Sequence, residues 1–267
     1  MKKALSIAGS DCSGGAGIQA DIKTFSAHGV FGMTVVTSVV AENTFRVTDY
    51  QDIRRDIIEK QINDVFEDIP PDAVKIGMLS CRETMLAVAG KLKEWKPVNV
   101  VVDPVMYAKN GCALMDPSSI DTLISEIIPL ADLITPNIPE AEKISGISIS
   151  THDDMREAAR RILAMGCRSV VVKGGHIEGD ATDILFDGVC FFEFPSPRIN
   201  TKHTHGTGCT FSSAIASNLA LGFPVQKAVE NAKAYINTAI THAPGFGKGN
   251  GPVHHFYNLY QTYFNGE

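Results

Sequence analysis

The sequence predicts an α/β protein built on a mostly parallel central sheet with helices packed against it. Short apolar runs rich in β-branched residues alternate along the chain with longer segments whose apolar residues recur at helical spacing. Glycine-rich segments at 9–17 and 206–208 each lie at a turn that opens a helix. Two such turns in one chain indicate one ligand held from two sides, with phosphate at one of them.

In the first half of the chain, apolar runs without a helical period predict strands that are buried on both faces. Apolar residues three or four positions apart predict the helices, and Pro70 stops the second of them. The predicted strands are 4–8, 33–41, 73–78 and 98–102. The predicted helices begin after the turn 14–17, at 53 and at 82, and end before Gly29, at 66 and at 95.

In the second half, Pro117 at the first position of a helical pattern is typical of a helix start. Two short apolar runs separated by Asp187-Gly188 predict a hairpin at the edge of the sheet. The predicted helices are 117–128, 151–165, 209–221 and 225–242, and the predicted strands are 132–135, 169–172, 183–186 and 190–194.

Size and charge narrow the class of protein. The 267 residues contain no proline-, glycine- or serine-rich linker, so we expect one domain over residues 1–267. The net charge of −6 comes from interspersed acidic and basic residues, which argues against nucleic acid as a partner. No apolar run approaches the ~18 residues of a membrane span, and the six cysteines form no Cys-x-x-Cys pair, so we expect a cytoplasmic protein with reduced thiols.

The glycine turn before the helix at 209–221 is the strongest local signal. The first backbone N–H groups of a helix have no partner within it, and with the helix dipole they form an anion site. Gly206 and Gly208 would let a phosphate approach these groups closely. Cys209 falls in the first turn of this helix, where we expect the dipole to lower the pKa of its thiol.

Polar residues follow several predicted strands, at the edge where open α/β sheets bind ligands. Glu42 follows the strand 33–41, and Asp103 caps the valine-rich strand 98–102. Lys173 stands before two glycines and suits a cation that reaches a phosphate as a point charge. Asn137 and Glu140 have the spacing of a capping box.

Motifs along almost the whole chain resemble one family, the hydroxymethylpyrimidine/phosphomethylpyrimidine kinases of thiamine biosynthesis, within the ribokinase-like superfamily. The motifs are Gly-Ser-Asp-x-Ser-Gly-Gly-Ala-Gly-Ile-Gln-Ala-Asp at 9–21, Ala-Glu-Asn-Thr at 41–44, Lys-Ile-Gly-Met at 75–78, Val-Asp-Pro-Val-Met at 102–106, Thr-Pro-Asn-x-Pro-Glu-Ala at 135–141, Lys-Gly-Gly-His at 173–176, His-Gly-Thr-Gly-Cys at 205–209 and Gly-Pro-Val-His-His at 251–255.

The resemblance implies a three-layer αβα sandwich with a small antiparallel edge. It also implies a homodimer that uses ATP and Mg²⁺ to phosphorylate a small molecule. The substrate would be 4-amino-5-hydroxymethyl-2-methylpyrimidine, phosphorylated first to its monophosphate and then to its diphosphate. A loop at 107–114 would cover the site.

The same resemblance assigns roles to individual residues. Substrate-binding residues would be Glu42, Asp21, Gly9 and Met78. Nucleotide-binding residues would be Asn137, Lys173 and Thr207, and metal-side residues would be Asp103 and Glu140. Catalytic residues would be Cys209, Lys173, Gly206 and Gly208, with Cys209 in the position where related sugar kinases have an aspartate base.

Simpler interpretations of some of these residues stay open at this point. Asp21 also fits a solvent-facing helix position, and Met78 also fits the core. Asn137 and Glu140 are explained equally by helix capping, and both roles are compatible.

Three other functions compete with this interpretation. A pyridoxal kinase is the nearest alternative, because it phosphorylates a hydroxymethyl group on a pyridine ring. A zinc-binding regulator would use His203, His205 and Cys209, but no fourth ligand stands at a recognisable spacing. The segment 9–17 lacks the Gly-x-Gly-x-x-Gly spacing of a dinucleotide-binding dehydrogenase.

Overall fold

The computed structural model describes residues 1–108, 111–175 and 180–264. Its main sheet has eight strands in the order β10-β9-β8-β7-β6-β5-β1-β2. The strands are β1 (Lys3–Ala8), β2 (Phe31–Val36), β5 (Ala73–Ile76), β6 (Val100–Val102), β7 (Leu133–Ile134), β8 (Val170–Val172), β9 (Asp183–Phe186) and β10 (Phe191–Phe194). A second sheet pairs β3 (Ser38–Asn43) with β4 (Arg46–Asp52).

The helices lie on both faces of the main sheet. They are α1 (Gly17–Ala27), α2 (Arg55–Asp68), α3 (Arg82–Trp95), α4 (Ile120–Thr122), α5 (Ile138–Ser145), α6 (His152–Leu163), α7 (Thr207–Ala220), α8 (Val225–Thr241) and α9 (Tyr257–Phe264). Within the described ranges, every helix is too short or too polar to traverse a bilayer.

The central strands are buried on both faces, which explains why they lack polar alternation. In β6, Val100 and Val102 pack into one hydrophobic core, and Val101 packs into a second core on the opposite face. Helices α2, α3, α5 and α6 contribute to the first core, whereas α1, α7 and α8 contribute to the second. The prediction of a mostly parallel sheet between two helical layers is confirmed.

The predicted hairpin at 183–194 is also confirmed. The strands β9 and β10 pair antiparallel, and β9 runs antiparallel to β8. The remaining pairs of the main sheet are parallel, from β2 through β1 to β8. The antiparallel end therefore forms one edge of the sheet, as expected.

The prediction of one strand over 33–41 was wrong. The chain leaves the main sheet at Thr37, whose N–H donates to the carbonyl of Ala8 and whose hydroxyl donates to the carbonyl of Met78. The next residues form β3 of the small sheet, so Glu42 lies on an antiparallel strand and not at the end of a parallel one.

The predicted helix at 117–128 is irregular. Only Ile120–Thr122 is α-helical, and it lies between a 3₁₀ turn (Pro117–Ser119) and a π turn (Leu123–Ile127). The loop predicted to cover the site, 107–114, lies partly outside the described residues, although Tyr107 and Ala113 form an antiparallel bridge.

Candidate active site

Five parallel strands end at one edge of the main sheet, because β1, β5, β6, β7 and β8 run in the same direction. The residues that follow these strands include Gly9, Met78, Asp103, Asn137 and Lys173, all of them predicted site residues. The structure therefore brings these five residues to one edge of the sheet.

The anion turn, defined here as Gly206 to Cys209, faces this edge at the start of α7. Gly206 has a φ of +76°, and a Cβ there would lie 1.7 Å from the carbonyl oxygen of Gly15. A Cβ on Gly208 would lie 3.2 Å from Asp103 Oδ2 and 3.4 Å from Lys173 Nζ. Both glycines thus meet a steric need, and the helix N-terminus comes close to a lysine and a carboxylate.

Lys173 pairs with one carboxyl group beside the anion turn and is influenced by the charge of a second. Its Nζ donates to Asp103 Oδ1 at 3.0 Å, and burial lowers its pKa less than Asp103 and Glu140 raise it. Burial raises the pKa of Glu140 to about 7, with Lys173 acting in the opposite direction and Asp103 adding to the rise. The cluster therefore holds more carboxyl groups than one lysine compensates, which suits a further cation.

The capping interpretation of Asn137 and Glu140 is correct. The Asn137 side chain accepts from the N–H of Glu140 at 2.9 Å, and the Glu140 carboxyl accepts from the N–H of Asn137 at 2.8 Å. These bonds fix the start of α5, so the two side chains have a structural role whatever they bind. Thr207 is also bonded locally, because its hydroxyl donates to the carbonyl of Thr204 at 2.7 Å.

The thiol of Cys209 does not have the lowered pKa that we expected. Burial raises the pKa to about 12 and outweighs the opposing effect of Lys75. The thiol is therefore protonated at neutral pH in this structure. The expectation considered only the helix dipole, which falls off within one turn, and it missed the desolvation of the side chain.

Asp21 is not solvent-facing, because its side chain is fully buried and paired with the equally buried Lys75. Lys75 Nζ donates to both carboxylate oxygens at 2.9 and 2.8 Å, and the hydroxyls of Ser6 and Ser213 donate to the same carboxylate. Burial lowers the pKa of Lys75, but Asp21, Cys209 and Asp103 together outweigh this and the pKa is raised. Asp21 therefore lies in the interior of the protein, where Lys75 compensates its charge.

Lys75 was not singled out from the sequence. The signal was present, since a lysine inside the apolar strand 73–78 must be buried with a partner. It acts on Cys209, and its charge lowers the pKa of that thiol.

On the other side of the site, Gly9 and Met78 meet. A Cβ on Gly9 would lie 3.0 Å from Met78 Sδ, and the Met78 side chain is buried. The half-buried Glu42 comes from β3. Its backbone is tied to the glycine segment by the Cys12 thiol, which donates to the Glu42 carbonyl at 3.0 Å.

The carboxyl group of Glu42 lies beside a buried ion pair that the sequence did not predict. One side-chain atom each of Asp11, Glu42 and His205 lies within 4.8 Å of the other two. Burial and the charge of Asp11 raise the pKa of Glu42 to about 7, and His205 opposes the rise. Glu42 can therefore carry a proton near neutral pH.

The zinc interpretation is not supported. In the part of the chain that the structure describes, His203 and Cys209 do not join His205 in any group of three close His, Cys or acidic side chains. His205 instead bonds to Asp11.

Comparisons with known proteins identify the family of the chain. The family model for phosphomethylpyrimidine kinase matches residues 11–254. The chain belongs to the phosphomethylpyrimidine kinase family. A curated relative, a hydroxymethylpyrimidine/phosphomethylpyrimidine kinase of Rhizobium meliloti, is 48% identical over 97% of this chain and 98% of the relative. A thiamine biosynthesis bifunctional protein of Geobacter sulfurreducens is 51% identical over 94% of this chain, which spans about half (51%) of that relative.

Solved structures of this kinase family and of a related one share the fold. A phosphomethylpyrimidine kinase from Clostridium difficile is 50% identical, with a TM-score of 0.82 over 90% of this chain and 100% of that chain. An ADP complex of a Bacillus subtilis pyridoxal kinase is 41% identical, with a TM-score of 0.90 over 97% and 99%. The predicted ribokinase-like fold and the assignment as a kinase of this family are confirmed.

Proposed function

We propose that this kinase transfers the γ-phosphoryl group of ATP to the hydroxymethyl group of 4-amino-5-hydroxymethyl-2-methylpyrimidine, and then a second phosphoryl group to the monophosphate. The observation that carries the choice of ring is the Glu42 carboxyl group, whose pKa is raised to about 7. A protonated carboxyl donates to a ring nitrogen and accepts from the adjacent exocyclic amine, which is the hydrogen-bonding pattern of an aminopyrimidine.

The phosphate side of the reaction belongs to the anion turn and Lys173. Phosphoryl transfer has a loose transition state, so the protein mainly positions the reactants and neutralises charge. The amides of the anion turn lie close to the Lys173 ammonium group. A Cβ at Gly208 would lie 3.4 Å from Lys173 Nζ. We assign the γ-phosphate to this place, Asn137 and Thr207 to the nucleotide, and Gly9 and Met78 to the pyrimidine.

The carboxyl groups of Asp103 and Glu140 fit Mg²⁺, which prefers oxygen ligands and often keeps several waters. A cation suits these carboxyl groups because Lys173 compensates only part of their negative charge. Burial, together with the charge of Asp103, raises the pKa of Glu140 to about 7. Bound there, Mg²⁺ would neutralise charge on the phosphates. Asp21 would act on the site through Lys75 and not by touching substrate, since it is fully buried.

Replacing Lys173 by methionine should lower kcat/KM for ATP by roughly 10²-fold, the cost of losing one stabilising group at a developing charge. Steady-state kinetics with varied ATP provide the measurement. Lys202→Met, an exposed lysine in the loop before the anion turn, is the matched control and should change little. Wild-type kinetics for Lys173→Met would contradict the assignment.

Glu42 decides between the aminopyrimidine and pyridoxal, which has no amine beside its ring nitrogen. Wild-type enzyme should show a higher kcat/KM for the aminopyrimidine alcohol. Glu42→Leu should lose roughly 10²-fold or more with this substrate, because two hydrogen bonds are lost and the polar ring edge stays buried. Glu42→Gln, whose amide offers the same donor and acceptor, should retain most of the activity.

Competition assays with the two alcohols test this proposal. A wild-type preference for pyridoxal would overturn it in favour of a pyridoxal kinase, the second candidate, which the 41% identity to the Bacillus subtilis enzyme favours. Equal activity of Glu42→Leu and wild type would remove Glu42 from the substrate site.

We also propose that residues 1–267 form one domain and that the protein acts in the cytoplasm as a homodimer. One eight-stranded sheet contains both the first strand, β1, and the last, β10, which supports a single domain. The cysteines of the described residues are all free thiols, which agrees with a reducing compartment. The homodimer follows from the family resemblance alone.

A further inference from the structure

A buried ion pair joins the two glycine turns of the site. His205 Nε2 lies 2.8 Å from Asp11 Oδ2, and both side chains are almost completely buried. The same oxygen accepts from the N–H groups of Gly15 at 2.9 Å and Ala16 at 2.7 Å. One carboxylate therefore holds the N-terminal turn and the residue that directly precedes the anion turn.

The backbones of the two turns are in contact at this place. A Cβ on Gly206 would lie 1.7 Å from the Gly15 carbonyl oxygen, and a Cβ on Gly15 would lie 2.5 Å from the His205 ring. The N–H of His205 donates to the Gly251 carbonyl at 3.0 Å, and the residue forms a parallel bridge with Pro252. His205 thus connects three loops, so a shift of its ring must move the amides that follow it.

The electrostatics favour the charged form of both partners. Burial lowers the pKa of His205, but the hydrogen bond and charge of Asp11 outweigh this and raise it. Burial raises the pKa of Asp11, but hydrogen bonds from His205 and Ser13 hold it below its ordinary value. The pair also reaches the substrate side, because Glu42 lies in the same cluster.

We propose that His205, held by Asp11, is a positioning residue that sets the spacing between the alcohol side of the site and the anion turn. This inference rests on the proposed function of the site as a phosphotransferase centre. Phosphoryl transfer requires the two reacting atoms at near-attack distance, and a displacement of 1 Å can cost about 10²-fold in rate. Loss of His205 should therefore lower kcat far more than it raises either KM.

The test compares His205→Ala, His205→Gln and Asp11→Asn by full kinetics of the first phosphorylation. His205→Ala should lose roughly 10- to 10²-fold in kcat, with KM for ATP and for the alcohol nearly unchanged. His205→Gln should recover much of the loss, because its amide nitrogen can donate to Asp11. The double variant Asp11→Asn/His205→Ala should lose less than the product of the two single losses, since both remove one interaction.

Further measurements test whether the His205 variants lose activity only because the fold is damaged. His152→Ala, at the start of α6 and on another element, is the matched control and should keep wild-type kinetics. Melting temperatures of all variants show which of them fold. If His205→Ala does not fold, the kinetics of His205→Gln and Asp11→Asn are compared with those of wild type. A raised KM with unchanged kcat in the folded variants, or a folded His205→Gln no better than His205→Ala, would overturn the proposal.

The two proposals fail in different ways. If wild-type enzyme turns over pyridoxal and not the aminopyrimidine alcohol, the proposed substrate is wrong, and the His205 variants are assayed with pyridoxal. His205 would set the same spacing for either ring, because it contacts the two turns and not the ring edge.

Discussion

Replacing Cys209 by alanine should slow phosphorylation of the aminopyrimidine alcohol by roughly 10²–10⁴-fold, the usual contribution of a general base, if the bound substrates bring its thiol into the deprotonated form. Phosphorylation of the monophosphate should be much less affected. The reason is that the alcohol must lose a proton to become a nucleophile, whereas the phosphate is already ionised near neutral pH. Separate assays of the two steps with purified intermediates give the comparison.

The raised pKa of Cys209 means that the thiol must lose its proton before it can act as a base. A thiol with a pKa of about 12 accepts no proton unless its environment changes when substrates bind. Lys75 already lowers that pKa. Cys190→Ala, which removes an exposed thiol in the hairpin turn, controls for general effects of cysteine loss. Equal losses in the two steps for Cys209→Ala would rule out a base and leave a packing or hydrogen-bonding role.

Replacing Lys75 by methionine should destabilise the fold by about 3–5 kcal/mol, the cost of leaving one charge of a buried pair uncompensated. Lys75 and Asp21 are fully buried, and the two oxygens of Asp21 lie 2.9 and 2.8 Å from Nζ. Water cannot solvate the remaining carboxylate. The midpoint of urea unfolding, followed by circular dichroism, measures the loss.

Two variants make the Lys75 result specific. Lys60→Met removes a lysine from an exposed pair with Asp56, and such pairs contribute at most about 1 kcal/mol. The double variant Asp21→Asn/Lys75→Met removes both charges and should be more stable than Lys75→Met alone. A Lys75→Met protein as stable as Lys60→Met would refute the importance of the buried pair.

The central strands of the main sheet were predictable from sequence because they are buried on both faces. Val100 to Val102 form a continuous apolar run whose side chains enter both cores. The strand can therefore be recognised from this run alone, without knowledge of its partners in the sheet. The small sheet was not predictable in the same way. Thr37 stands among valines, and only its bonds to Ala8 and Met78 show that the chain turns away there.

The location of several candidate site residues was predicted from the sequence, but their electrostatics were not. Residues that follow parallel strands, such as Asp103 and Lys173, were found because the strands share one edge. The roles of Lys75 and His205 depend on partners far along the chain, because Lys75 and Asp21 are 54 positions apart and His205 and Asp11 are 194 positions apart. The pKa of Cys209 depends on its burial, which no local pattern reveals.

A crystal structure with the aminopyrimidine alcohol and a non-hydrolysable ATP analogue would show where both reactants bind. We expect the terminal phosphate against the amides of the anion turn and the Lys173 ammonium group. We also expect the pyrimidine against Glu42, with its hydroxymethyl oxygen within hydrogen-bond reach of Cys209 Sγ. A nucleotide bound elsewhere, or a distance above ~7 Å between that sulfur and the accepting oxygen, would contradict the proposed function.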